Sequence, residues 1–145
     1  MTGPTPKTRA GMYERDHEQC ALCGKRGDLT HGHRRAVGMG GAKIRPSITD
    51  SVTLCASCNE RAERDLQTKA LAYGAKVKKW VKDPSLVPVL YPFIWGWARL
   101  TEDGKAVPIS AETAAEMMRA IYGDEWDRWM ALIGAWVPVK GENRG

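Results

Sequence analysis

A chain of 145 residues with four cysteines is long enough for one domain of ordinary size with a small appendage. No apolar run is long enough to span a membrane, and residues 1–11 lack the apolar core of a signal peptide, so the expectation is a soluble, cytoplasmic protein with no membrane partner. The formal net charge of +5 is unevenly placed: residues 1–100 carry 17 Lys/Arg against 9 Asp/Glu, residues 101–145 carry 5 against 8. A basic front portion suits a polyanion, most simply nucleic acid, although charge alone fits a solvated basic surface equally well.

In chain order, residues 1–12 read as a flexible lead-in, and residues 13–19 as one helical turn carrying a surface histidine, His17. Residues 24–28 are a turn-rich link. Residues 29–35 read as a short strand in which His31 and His33, two apart, point to one face. The run Gly38-Met39-Gly40-Gly41 is a loop, continued by Lys43 and Arg45. Residues 51–54 form a second short strand. Ala62, Leu66, Ala70 and Tyr73 give residues 59–73 one apolar helical face, with Gly74 as its stop.

Residues 77–81, 87–91 and 94–100 have strand composition, interrupted by Pro84, Pro88 and Pro92. The Asp103-Gly104 turn predicts a hairpin between residues 97–100 and 106–109. Ser110 caps a helix over residues 111–122 that Gly123 ends. A further helix over 124–136 sets Trp126, Trp129, Met130 and Ile133 on one core-facing stripe. Residues 140–145 are a tail.

All four cysteines fall in two identical knuckles, Cys20-x-x-Cys23 and Cys55-x-x-Cys58. Each lets two thiolates reach one ion, and together they predict a closed, tetrahedral, structural Zn²⁺ site. The competing reading is two disulfides, which suits a secreted protein better than this one. His31 and His33 lie between the knuckles, so the zinc would clasp a histidine-bearing hairpin. Phosphodiester hydrolysis needs an activated water, a cation and groups that grip phosphate. The segment holding His31, His33, Arg34, Arg35, Asp50 and Asn59 contains all of these.

On these residues the chain resembles the HNH endonucleases. The two knuckles, the His33-Arg34 pair, Val52-Thr53-Leu54-Cys55 and the stretch HRRAVGMGG at 33–41 carry the resemblance, which covers residues 13–75. That stretch and DPSLVPVL at 83–90 look like HNH proteins of actinobacterial phages. The resemblance implies an α+β fold, a zinc-clasped ββα-metal nuclease core over 13–75 with an appended β-hairpin and C-terminal helices over 76–139. It implies metal-dependent hydrolysis of DNA leaving 5′-phosphate and 3′-hydroxyl ends. A phage terminase or another packaging protein is an implied partner.

Carried over by position, His33 is the general base. Asp50 stands at the middle position, where the family usually has Asn, and orients the histidine. Asn59 and His31 hold a catalytic Mg²⁺ or Mn²⁺, and Arg34, Arg35, Lys43 and Arg45 contact nucleic acid. The family commonly has Asp or His just before the base, where this chain has Gly32. A second alignment makes His31 the base. The alternative function is a non-catalytic zinc-ribbon DNA-binding protein.

Overall fold

The computed structural model describes residues 3–36 and 45–139. The element order is mixed α+β, and no helix among the described residues is long and apolar enough to cross a membrane. The chain opens with helix α1, Pro6–Arg15, where the sequence suggested a lead-in. The helix starts there because Thr5 caps it, its Oγ1 accepting from the Thr8 N–H at 3.1 Å, with Pro6 in the first turn.

Strands β1 (Leu29–His33) and β2 (Ser51–Cys55) form an antiparallel pair in which Leu29 faces Cys55 and His33 faces Ser51. β2 leads directly into helix α2 (Ala56–Arg61), followed by helix α3 (Gln67–Ala72). The single helix expected over 59–73 is therefore two. The Leu66 N–H reaches back five residues to the Arg61 carbonyl, and that wide turn redirects the chain. Ala62 and Ala70 still reach one core, from two directions.

Strands β3 (Val89–Tyr91), β4 (Gly96–Leu100) and β5 (Ala106–Pro108) form an antiparallel meander. Leu100 pairs with Ala106 across the expected Asp103-Gly104 turn. Helices α4 (Ala111–Tyr122) and α5 (Asp124–Leu132) close the fold. Ser110 caps α4, and Gly123, at φ +62°, separates the two. α5 stops at Leu132, short of the expected 136, because Gly134 takes a left-handed conformation at φ +70°. Residues 77–81 are not a strand. Val77 makes one parallel bridge to Arg35, and the Arg35 guanidinium then takes the carbonyls of Val81 and Lys82.

The interior has two clusters. One joins the cysteine knuckles to Val52, Leu54, Val89, Tyr91 and Leu100. The other joins α3 to Met118, Tyr122, Trp126, Trp129 and Met130, as the stripe on α5 predicts. A buried polar web ties α1 into the first. Asp16, fully buried, accepts from Arg15, from the Tyr91 hydroxyl at 2.7 Å and from the Thr53 N–H at 2.8 Å.

Candidate metal centre and histidine site

The four cysteine sulfurs lie within 4.8 Å of one another, and none is in a disulfide. A tetrahedral zinc with Zn–S bonds of about 2.3 Å requires sulfur–sulfur edges of about 3.8 Å. The Cys23–Cys55 edge is 3.8 Å. Each knuckle has local reasons for its shape. In the first, the Gly24 N–H donates to the Cys20 carbonyl and Gly24 adopts φ +78°. In the second, Cys55 caps α2, and its sulfur accepts the Cys58 N–H at 3.4 Å.

Burial pushes the Cys20 and Cys58 thiols up. At Cys55 burial acts the same way but is outweighed by the donors around it, and the thiol is held down. A divalent cation would relieve the crowding by taking all four as thiolates. The cluster can thus hold a metal ion such as zinc.

The same fold brings His31 and His33 to one face of β1, their rings T-shaped with centroids 4.7 Å apart. Gly32 faces the other way. A Cβ there would lie 2.8 Å from a Leu54 methyl and 2.9 Å from the Val52 carbonyl oxygen, so packing requires glycine. A side chain at position 32 would enter the core rather than the histidine face.

The two histidines differ in their restraints. Ser51 Oγ donates its only proton to the Ser47 carbonyl at 2.8 Å. Its 2.7 Å contact with His31 Nε2 therefore has the ring N–H as donor. That fixes the tautomer and leaves Nδ1 of His31 with its lone pair. His33, half-buried, makes no ring hydrogen bond among the described residues. Burial lowers the His31 pKa to about 4, with the charges of His33, Arg9, Lys76 and Arg15 adding to it. Burial also lowers His33; Lys76 adds to the shift, and Asp50 opposes it. At neutral pH both rings are neutral.

Asn59, on α2, turns its amide toward β1, donating to Thr30 Oγ1 at 3.0 Å and to the His31 carbonyl at 3.3 Å. Asp50 does not hold either imidazole by a hydrogen bond. Its carboxylate accepts the Arg35 N–H at 3.0 Å and the Arg35 Nε at 3.1 Å, and it acts on His33 through charge alone.

The expectation that Arg34 grips phosphate is corrected. Arg34 has no exposed surface. Its guanidinium donates to the carbonyls of Gly74, Thr49, Pro84 and Val87 at 2.6–3.0 Å. Burial lowers its pKa to about 10, which leaves it charged at neutral pH but unable to reach a ligand. Arg35 keeps about a third of its side chain exposed beside Asp50. Arg45 is exposed, with Nη1 on the Gly3 carbonyl at 2.9 Å. Lys43 and the 38–41 loop lie outside the described residues.

No family model matches the chain, and no curated protein or solved structure is significantly similar to it.

Two cations near the histidines escaped the sequence reading. Arg9, exposed on α1, carries a hydrogen bond to the Tyr13 hydroxyl, which in turn donates to the Leu29 carbonyl. Its placement followed from the Thr5-Pro6 helix start. Lys76, mostly buried, donates to the His33 carbonyl at 2.9 Å and pairs with Glu63. No local signal distinguishes Lys76 from its neighbours Lys78 and Lys79.

Proposed function

We propose that the protein is a metal-dependent DNA endonuclease of the HNH type, with zinc in the cysteine cluster and the histidine face of β1 as its active site. The observation that carries this reading is the pair of neutral imidazoles, 4.7 Å apart, on a hairpin closed by the four cysteines. The restraints on the rings suit different roles. His33, whose ring makes no hydrogen bond among the described residues, takes the proton from the attacking water through its basic nitrogen. His31, oriented by Ser51, offers Nδ1 to a divalent ion. Asn59, whose amide nitrogen is taken by Thr30 Oγ1 and the His31 carbonyl, is the second ligand that the resemblance implies, through its amide oxygen, and a nitrogen-plus-oxygen donor set fits Mn²⁺ at least as well as Mg²⁺. Bound there, such an ion would stabilise charge on the phosphate. Arg35 and Arg9 supply positive charge at the rim, and Lys76 steadies the His33 backbone.

The test is nicking of supercoiled plasmid by zinc-loaded protein with Mg²⁺ or Mn²⁺ added. The wild type is expected to cut. His33→Ala is expected to lose about 10²–10⁴-fold in rate while still binding DNA, since a general base acts in the transition state. His31→Ala is expected to raise the metal concentration required. If His33→Ala cuts and His31→Ala does not, the two roles are exchanged. If the wild type never cuts, the non-catalytic zinc-ribbon DNA-binding reading replaces this one.

A further inference from the structure

Residues 76–82 read Lys-Val-Lys-Lys-Trp-Val-Lys, and the fold lays them along the exit of the histidine strand. The Val77 N–H donates to the Arg34 carbonyl at 2.7 Å, and Arg35 Nη1 holds the carbonyls of Val81 and Lys82 at 3.2 and 3.0 Å. Because Arg35 also pairs with Asp50, the segment is tied to the turn that precedes β2. Its inward side chains are committed: Val77 and Val81 belong to the aromatic core.

Its outward side chains are Lys79 and Lys82 on either side of Trp80 in sequence, while Lys78 Nζ lies over the Trp129 ring, 5.9 Å from its centroid. Lys79, Trp80 and Lys82 are exposed, and Lys78 is half-buried. Among the described residues no carboxylate pairs with Lys78, Lys79 or Lys82. The adjoining acid, Asp83, is turned to the N–H and hydroxyl of Ser85. Trp80 is 59% exposed, against 1% for Trp126 and 9% for Trp129. Its fixed contact is with Tyr122, T-shaped at 5.7 Å between centroids. A T-shaped contact covers at most one face of the indole, whichever ring presents its edge. A hollow of about 150 Å³ lies beside Lys78 and Lys79, bordered also by Gln67 and by Lys76 with its partner Glu63.

We propose that residues 78–82 bind an unpaired stretch of nucleic acid, with Lys79 and Lys82 on phosphates and Trp80 stacked on a base. An acidic peptide would satisfy the lysines and leave the indole face bare. A closed duplex offers phosphates but hides its base faces. An unpaired strand offers both along one backbone, the combination that single-strand binding surfaces use. Where the nuclease reading holds, on which the enzymatic consequence rests, the substrate class becomes DNA with unpaired bases beside the cut.

The test measures binding by fluorescence anisotropy in a His33→Ala background, so that no strand is cut. The probes are an oligothymidylate of about 12 nucleotides and a blunt duplex of similar length. Trp80→Ala is expected to weaken single-strand binding about tenfold and duplex binding little. Trp80→Phe keeps an aromatic face and is expected to retain most of the affinity. Lys79→Gln with Lys82→Gln is expected to weaken both probes and flatten the salt dependence.

Equal losses on both probes for Trp80→Ala, or equal losses for Trp80→Ala and Trp80→Phe, overturn the proposal. So does comparable affinity for an oligoglutamate peptide. Discrimination between the probes that depends on Trp80 supports the proposal even if the plasmid assay shows no cleavage, which would sink the nuclease reading alone. Cleavage without that discrimination sinks the stacking proposal alone.

Discussion

Around β1 and β2 most of the buried side chains are small, Ala21, Leu22, Val52, Leu54, Ala62, Cys20, Cys55 and Cys58, with Tyr91 the one buried aromatic ring. Around α4 and α5 they are large: Met118, Tyr122, Trp126, Trp129 and Met130. Apolar burial contributes roughly 25 cal/mol per Å², so the helical region gains far more from each buried residue. The hairpin region makes up the difference with polar devices. Asp16 gathers Arg15, Tyr91 and the Thr53 N–H, Arg34 gathers four carbonyls, and four sulfurs stand ready for an ion. Such devices stabilise only when complete, because a buried charge stripped of partners is costly. The hairpin region therefore fails abruptly when one part is lost, whereas an apolar core loses stability by increments.

The largest effect that could break this contrast comes from the cysteines. Zinc bound at a structural site contributes on the order of 10–16 kcal/mol in apparent binding energy, comparable with a typical domain's whole stability. Cys55→Ala is expected to abolish zinc retention and to remove amide-exchange protection from β2, while the amides of α4 keep theirs. Metal analysis and hydrogen exchange check both halves of that statement. Loss of protection in α4 at the same rate would make the two regions one cooperative unit.

Arg34 joins the regions, since its carbonyl partners run from Thr49 before β2 to Val87 before β3. Arg34→Met is expected to cost about 3–5 kcal/mol, leaving four carbonyls without a donor. Arg34→Lys is not expected to rescue it, because one ammonium cannot reproduce a planar fork. Urea midpoints measure both. A cost near that of an ordinary surface change would show that the polar framework is dispensable.

The smallest effect is a pH dependence confined to the hairpin. His31 titrates at about 4 in the folded protein and at about 6.5 when unfolded. Folding therefore favours the neutral ring. The stability this gives is fully present above the unfolded value and is lost as pH falls toward 4, amounting to roughly 3 kcal/mol. His31→Gln is expected to flatten that part of the stability-against-pH curve, measured by denaturation at several pH values with metal present. Parallel curves for the two proteins would place the acid sensitivity elsewhere.

What the sequence made legible, and what it hid, follows from the range of the interactions. Each knuckle, the Asp103-Gly104 hairpin and the Ser110 cap are set by residues within a few positions of each other, and each is where the pattern puts it. The fate of Arg34 depends on carbonyls 15 to 53 residues away, and no spacing encodes them. One signal did exist. The alternation that puts His31 and His33 on one face also puts Arg34 on the opposite, inward one. The break after Arg61 had no such signal, since the apolar period continues across it to Leu66 and Ala70. Nor could spacing foresee that Asp50 would be taken by Arg35 instead of an imidazole.

The cysteine cluster has one open corner. Cys20, Cys55 and Cys58 are buried, and Cys23 is exposed. Affinity for an ion depends on all four sulfurs, but the residence time of that ion depends on the first bond to break. A competing chelator or an oxidant meets Cys23 before it meets any other sulfur. A tightly bound ion can then still be a short-lived one under oxidative stress, with the lifetime of the hairpin region set by a single solvent-facing thiolate.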